Sequence, residues 1–212
     1  VASLVGSEMC IRDRFSNLPK DNPFQIFQDY YVRAEDHGDK FAEAGCISSV
    51  DKNNQPHSRF VNFKYFFEDN LIFFSNYKSH KAENFLANDK VCINFWWPNI
   101  EVQVRIEGII SKCEEKFSDK HFQDRKPSKN VAAIVSQQSQ KIESYDLLKQ
   151  KYEAMKEKVE NGEYTDSRPE NWGGYQIKVH FFEFWEANDD RLNYRECYEK
   201  NDESWSKFFL QS

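Results

Sequence analysis

Between Val102 and Ile106 the side chains alternate strictly: Val102, Val104 and Ile106 are apolar, while Gln103 and Arg105 between them are polar. A period of two belongs to an extended strand with one buried and one wetter face, because successive side chains on a strand point to opposite sides. Strand-like segments recur along the chain, bounded by turn-forming residues. Ala44–Val50 stops at Asp51-Lys52-Asn53-Asn54, His57–Phe67 and Leu71–Ser75 flank Glu68-Asp69-Asn70, and Val91–Trp97 and Ile100–Lys112 flank Pro98-Asn99. Tyr175–Ala187, Arg191–Tyr198 and Trp205–Leu210 read as three closing strands. Hairpin-linked strands in this number predict an antiparallel barrel.

Helical spacing is confined to a few places. Phe24, Phe27, Tyr31 and Ala34 predict a helix over about Pro23 to Asp36. Ser79 reads as the N-cap of a helix over Lys81–Asn88, a short helical piece surrounds Ser118–Asp124, and a longer one spans about Ser144–Asn161 and stops near Gly162. This last segment is strongly charged and carries Leu147, Leu148, Tyr152 and Met155 on one side, the pattern of a solvated amphipathic helix. The fold class expected is mainly β with helices, α+β.

A chain of 212 residues can bury a substantial core as one domain. Its 19 Phe, 10 Tyr and 5 Trp suit strands, stacking surfaces and an extensive interface. A net charge of −6, with no Lys/Arg run interleaved with aromatics, argues against nucleic acid as the main partner. No apolar run approaches the roughly 18 residues of a membrane helix, so no membrane partner is expected. Cys10, Cys46, Cys92, Cys113 and Cys197 are odd in number, widely spaced and lack a Cys-x-x-Cys pair. That pattern indicates neither a zinc site nor a disulfide framework, and points to the reducing cytoplasm. Val1–Arg14 has no basic start, and Glu8 interrupts any signal-like apolar core. It reads as a non-native extension or a short flexible native tail, leaving residues 15–212 as a single domain.

Several familiar chemistries are missing: there is no Gly-rich phosphate loop, paired-carboxylate signature, His-Glu-x-x-His or nucleophile elbow. The chain offers instead cationic and amide residues distributed over predicted strands. Arg59 and Lys64 are separated by an odd interval, which puts them on opposite faces unless a bulge intervenes. Gln103 and Arg105 share a face. Ser79-His80-Lys81 lies at a predicted helix start, where free backbone N–H groups and the helix dipole complement a phosphate. Arg191, Asn193 and Arg195 would project from one strand face, with Leu192 and Tyr194 turned to apolar surroundings. That face is either an anion or cofactor wall, with Trp185 as an aromatic lid, or a solvated edge strand with scattered charge.

In combination these segments resemble the pyridoxamine (pyridoxine) 5′-phosphate oxidase family, from about Pro23 to the C-terminus. The family's Arg-x-Val-Leu-Leu-Lys is matched by Arg59-Phe60-Val61-Asn62-Phe63-Lys64, its Tyr-Thr-Asn by Phe74-Ser75-Asn76, and its Ser-Arg-Lys by Ser79-His80-Lys81. Arg-Gln-Val-Arg corresponds to Val102-Gln103-Val104-Arg105, and a Gln-Ser pair recurs at Gln138-Ser139, just after Ser136. Trp172-Gly173-Gly174 and Glu183-Phe184-Trp185 match outright, and the closing Arg-Leu-His-Asp-Arg is Arg191-Leu192-Asn193-Tyr194-Arg195.

The resemblance implies a homodimeric split β-barrel that binds FMN in clefts between two subunits, with residues from about 168 to 212 as the dimerisation and substrate segment. Carried over, the flavin contacts are Arg59, Phe60, Val61, Asn62, Phe63, Lys64, Phe74, Ser75, His80, Lys81, Gln103, Gln138, Ser139, Trp185 and Arg195. Substrate positions are Lys64, His121, Arg125 and Lys129 toward the phosphate, Arg191 on the pyridine ring and Asn193 near the reacting carbon. In the family, C4′ of pyridoxamine or pyridoxine phosphate gives a hydride to flavin N5. Dioxygen then takes the electrons and leaves as hydrogen peroxide, and the imine of the amine substrate is hydrolysed to the aldehyde. Four positions depart from the family pattern: His80 replaces an arginine, His121 a tyrosine, Lys129 a serine and Asn193 a histidine. The alternatives are a relative that oxidises another small anionic ring compound, or a non-catalytic flavin- or pyridoxal-phosphate-binding protein.

Overall fold

The computed structural model describes residues 14–16, 18, 22–163, 167–202 and 204–212. In chain order the elements are β1 (Phe15–Ser16), α1 (Pro23–Asp36), β2 (Ala44–Val50), β3 (Pro56–Phe67), β4 (Asn70–Asn76), α2 (His80–Ala87), β5 (Lys90–Trp97) and β6 (Val102–Lys112). The helices α3 (Glu115–Asp124), α4 (Pro127–Val135) and α5 (Tyr145–Glu160) follow, then β7 (Trp172–Glu186), β8 (Tyr194–Asn201) and β9 (Ser204–Phe209). The expected tail lies outside the described residues as far as residue 13, and Cys10 with it. Arg14, the tail's last residue, donates to Tyr31 Oη and stands 3.8 Å from Glu43.

Six strands close on themselves in the order β3-β2-β5-β6-β7-β4, because β4 pairs with both β3 and β7. Every pairing in that ring is antiparallel. Strands β8 and β9 continue from the far end of β7, and β1 adds a short parallel pairing to β3. The alternation of β6 is what closure requires: Val102, Val104, Ile106 and Ile110 are buried, while Gln103, Arg105 and Glu107 stay partly exposed.

Aromatic side chains fill the interior and bind α1 to the barrel. Asn22 caps the helix by accepting from Phe24 N at 3.0 Å, and Pro23 follows at the first turn, where its missing N–H costs nothing. Phe27 then lies 5.1 Å from Phe95, 5.6 Å from Trp97 and 5.2 Å from Phe66, ring centre to ring centre. Phe24 meets Phe182 edge-on at 5.0 Å. Truncating a fully buried phenylalanine of this kind costs about 3–5 kcal/mol. By contrast α5 buries no residue completely, in keeping with a solvated helix.

Two elements differ from the sequence reading. Helix α4 was not expected, since Pro127-Ser128-Lys129-Asn130 has the composition of a loop; Pro127 instead opens the helix. Asn130 Nδ2 anchors it by donating to Phe122 O at 2.9 Å. Strand β8 starts only at Tyr194, so the expected strand over Arg191–Tyr198 loses its first three residues. Arg191 has a φ of +59°, a left-handed turn conformation that no strand residue adopts. Arg191, Asn193 and Arg195 therefore do not form one strand face, and Leu192 and Tyr194 are 76% and 45% exposed rather than turned to apolar surroundings.

Gly108 marks the bulge where β6 and β7 shift register, and a Cβ there would sit 2.5 Å from Ile177 Cγ2 and 2.7 Å from the Lys178 carbonyl oxygen. The backbone carbonyl cannot rotate away as a side chain would. Gly108→Ala is therefore expected to destabilise the fold by about 1–3 kcal/mol, the range for overpacking. Urea unfolding measures it, and an unchanged midpoint would contradict the strain.

Candidate functional site

Two of the expected cofactor groups meet in a buried cationic cluster. Arg59, on β3, donates to Ser49 Oγ at 2.8 Å. Lys81, in the first turn of α2, donates to Ser75 Oγ at 2.9 Å, Gln138 Oε1 at 3.0 Å and Ser79 Oγ at 3.2 Å. Ser79 holds the N-cap position but does not cap with its side chain, donating instead to Asn76 O. Burial and then the charge of Arg59 push the Lys81 ammonium down to about 8. Among the described residues neither Arg59 nor Lys81 has a carboxylate partner. Buried Lys81 and half-buried Arg59 face hydroxyls and amides and are incompletely compensated, a condition that suits an anion. His80 joins this end of the site, its ring 4.7 Å from His57.

The expected substrate-phosphate groups form an adjoining cluster. Lys64 falls where β3 bulges against β4, between Phe63 and Tyr65, so the motif contains the irregularity that frees it from simple alternation. Lys64 Nζ stands 3.7 Å from Glu43, and burial pushes its ammonium down despite that partner. Arg125 Nη2 donates to Lys129 O at 2.8 Å, the guanidinium covers the Trp172 ring at 5.0 Å, and Nη1 is buried without a hydrogen-bond partner in the structure. His121 stacks on Phe74 at 3.6 Å and shares a 2.7 Å hydrogen bond with Tyr65 Oη. Burial, then Arg125 and Lys64, push the His121 imidazole down to about 3, so it is neutral at physiological pH. A cavity of about 230 Å³ joins the two clusters, bringing Phe74, Ser75, Gln138, Arg125, Lys129 and Trp172 to one wall system.

The C-terminal candidates lie elsewhere on the chain. Gln103 pairs with Trp185 across β6 and β7, and Trp185 pairs with Arg195 across β7 and β8. Asn193 and Arg195 line a second cleft, of about 630 Å³, which shares no lining residue with the first. Arg191 lines neither cleft. Asn193 Oδ1 accepts from Asn188 N at 3.2 Å, tying it to its own turn. On β3, Phe60 is 72% exposed and Asn62 is exposed, while Val61 is half-buried and Phe63 is wholly interior. Phe63 therefore shapes the barrel and offers no direct contact to a ligand outside it. Ser139 follows Gln138 with a φ of +72°.

Three residues gain a role that sequence reasoning did not give them. Trp172 carries the Arg125 guanidinium and stacks on Phe74 at 5.3 Å. Tyr65 holds His121. Glu183 is 3% exposed and binds both Arg105 and Arg195. Trp172 and Glu183 stood inside recognised motifs, but which groups they touch depends on strands far apart in sequence. Their neighbours were not readable from spacing.

His121 makes a pH dependence testable. The unfolded histidine takes up a proton near its ordinary 6.5, whereas folded His121 refuses it until about 3. Its contribution to stability is complete above pH 6.5 and declines as pH falls toward 3, where both states are protonated. Urea midpoints measured across that window should fall more steeply for the wild type than for His121→Gln; parallel slopes would contradict a buried neutral imidazole.

Comparison with known proteins identifies the family. The family model for pyridoxamine 5′-phosphate oxidase matches residues 40–158, and that for the pyridoxine 5′-phosphate oxidase C-terminal dimerisation region matches residues 172–212. A pyridoxine/pyridoxamine 5′-phosphate oxidase of Hydrogenovibrio crunogenus is 38% identical, over 90% of this chain and 89% of its own. One from Aliarcobacter butzleri is 40% identical, over 87% of each chain. Among solved structures, PhzG from Burkholderia lata, in complex with tetrahydrophenazine-1-carboxylic acid, superposes with a TM-score of 0.84 at 22% identity, covering 92% of this chain and 94% of its own. An FMN-binding, pyridoxamine 5′-phosphate oxidase-related protein from Nostoc punctiforme gives 0.72 at 16% identity, covering 91% and 99%. With both halves of the fold matched and the relatives aligned almost end to end, this chain belongs to the pyridoxamine 5′-phosphate oxidase family, an FMN-dependent oxidoreductase family.

Proposed function

We propose that the protein is an oxidase that converts pyridoxamine 5′-phosphate or pyridoxine 5′-phosphate to pyridoxal 5′-phosphate, with dioxygen as electron acceptor and hydrogen peroxide as by-product. The observation that carries this reading is the cavity between the two cationic clusters, where Arg125 keeps a buried, unpartnered Nη1 beside Lys129. Two phosphate-bearing molecules, one at each end, fit a site with cations at both ends. Arg59, Lys81, Ser75 and Gln138 would hold the FMN side, and their donors without carboxylates are chemically suited to an anion. Bound FMN supplies the hydride acceptor and the passage of electrons to dioxygen.

The chain's own contribution is binding and orientation. Lys64, Arg125 and Lys129 attract the substrate phosphate, and Trp172 fixes the Arg125 guanidinium from below. Neutral His121 presents no charge to that phosphate, and Lys129 adds one where the family has a hydroxyl. Arg191 and Asn193 would act on the ring from a second copy of the chain. We propose a homodimer because the Asn193–Arg195 cleft and the phosphate cavity are separate within one chain. Exposed Phe60 and Trp96 supply apolar surface for the contact. The interface should be of the permanent kind, above about 2,000 Å² in total. The cytoplasm is the proposed compartment, since Cys46, Cys92, Cys113 and Cys197 are all free thiols.

A second reading, oxidation of a different small anionic ring compound, is favoured by one observation: Asn193 is engaged by its own turn and can carry no proton. Anaerobic mixing separates the two. Pyridoxamine phosphate should bleach the yellow enzyme under the first reading and leave it coloured under the second. Protein that stays colourless after incubation with excess FMN would remove both and leave a non-catalytic binder of pyridoxal phosphate.

The phosphate cluster predicts a split between kinetic constants. Arg125→Ala should raise KM for pyridoxamine phosphate by about 10- to 100-fold, the value of one charged hydrogen bond, with a smaller effect on kcat. Equal KM values would remove Arg125 from the substrate site. At the ring end Arg191→Ala should be more damaging than Asn193→Ala, and Asn193→His should keep or raise turnover. A wild type inert until Asn193→His is introduced would show that the parent reaction has been left behind.

A further inference from the structure

Strands β6, β7 and β8 run side by side with Arg105 opposite Glu183 and Trp185 opposite Arg195. One carboxylate lies between two guanidiniums. Glu183 Oε1 accepts from Arg195 Nε at 2.7 Å and stands 2.5 Å from Nη2. Glu183 Oε2 accepts from Arg105 Nε at 3.0 Å and Nη2 at 2.8 Å. Each carboxylate oxygen is thus gripped at two points, while the Glu183 side chain is only 4% exposed. The other edge of Arg105 is taken by Glu107, and its plane lies 4.8 Å over the Phe181 ring. Arg195 Nη1 donates to Gln211 O at 2.9 Å.

The geometry points to Glu183 as a positioning residue that presents Arg195 to the flavin, with Arg105 as the anchor on its other side. Arginine carries five N–H donors in a rigid plane. Glu183 and Gln211 take donors on all three nitrogens of Arg195, which leaves one N–H on each of Nη1 and Nη2 for a ligand in the cleft. A guanidinium held on three nitrogens loses little further freedom when it binds, and preorganisation of that kind raises affinity without adding a contact. Burial alone would push the Glu183 carboxyl up, but hydrogen bonds from Arg195 and Arg105 outweigh it and hold the carboxyl below the usual range, so the clamp stays charged. This chain has particular need of such an arrangement, because His80 replaces an arginine at the other end of the flavin site.

The inference rests on FMN being the ligand and on Arg195 touching it, and a thermodynamic cycle separates the two questions. Apoprotein of the wild type, Glu183→Gln, Arg195→Ala and the double variant is titrated with FMN by quenching of flavin fluorescence, with visible circular dichroism of the bound flavin as a second readout. Glu183→Gln is expected to weaken FMN binding by about 10-fold and to change the dichroism, and Arg195→Ala by about 10- to 100-fold. The double variant should bind no worse than Arg195→Ala alone, since Glu183 acts through that side chain. Losses that multiply in the double variant, or a Glu183→Gln protein with wild-type affinity, would overturn the positioning role while leaving the flavin reading intact. A wild type that binds no FMN would overturn both. Glu183→Asp, which keeps the charge but shortens the reach, carries the same cycle if Glu183→Gln does not fold.

Discussion

Strand β7 changes partners along its length, and the rest of the structure depends on that change. Over Trp172–Lys178 it pairs with β4, which closes the ring; over Phe181–Glu186 it pairs with β8, which leaves the ring. Strand β6 accompanies it from Tyr175 to Glu186. One continuous fifteen-residue strand therefore belongs to the barrel at its start and to an outlying sheet at its end. The shift of register at Glu107 and Gly108 lies near the middle, where a bulge adds the local twist that lets the two halves diverge. Gly173 and Gly174 allow the first half to lie against its neighbours: a Cβ on Gly173 would fall 2.2 Å from Tyr77 Oη, and one on Gly174 2.8 Å from Cys113 Sγ. Trp172 is thereby placed beneath Arg125 and Arg195 is placed beside Trp185, at opposite ends of one strand.

Electrostatics then distinguishes the ends. The cavity of about 230 Å³ brings Arg125 and Lys129 together, and among the described residues neither has a carboxylate partner, while Lys64 has Glu43. Burying cations beside like charge is unfavourable, and the Lys81 and Lys64 ammonium groups are lowered by burial first and by neighbouring cations second. The Arg195 end is arranged differently, with a buried carboxylate holding two arginines. The first arrangement is relieved when an anion arrives. The second is already satisfied and serves for orientation. The proposed oxidase, which would hold phosphate groups in the first arrangement and align a ring beside the second, would have use for both.

Much of this was legible in the sequence where local physics decides. The α1 boundaries follow from four apolar residues at helical spacing behind an Asn-Pro cap, and β2 follows from the turn residues beyond it. The alternation of β6 was readable because a barrel strand has one face in and one face out. Readings failed where a side-chain hydrogen bond outside any periodic pattern decides. Helix α4 carried no periodic signal that was read, and its anchor is the hydrogen bond from Asn130 to the Phe122 carbonyl. Arg191 looked like the first residue of a strand until the turn from Asn188, closed by the Asn193 side chain, imposed its positive φ. Period-two spacing of Arg191, Asn193 and Arg195 was real, but three residues are too few to require a strand when a turn can satisfy their backbone. The family motifs named the candidate residues, whereas their partition between two separate clefts is visible only in the fold.

The departures from the family pattern are coupled through this geometry. A neutral imidazole at 121, pressed between Phe74 and Tyr65, brings no charge to the phosphate cavity; burial first, then Arg125 and Lys64 nearby, keep it neutral. Lys129 lies within reach of the same positive region and contributes to lowering Lys64. Had position 121 carried a charge as well, it would have joined Lys64 and Arg125, which already disfavour its protonation. Of the two changes only lysine for serine at 129 adds charge, since 121 is uncharged either as tyrosine or as this buried histidine. Charge attracts at longer range than a hydroxyl but discriminates less among anions, since it lacks a fixed direction. Under the proposed function a phosphate held this way would be captured strongly and oriented loosely, which would place the burden of alignment on the ring contacts and on the clamped Arg195 beside the far end of β7.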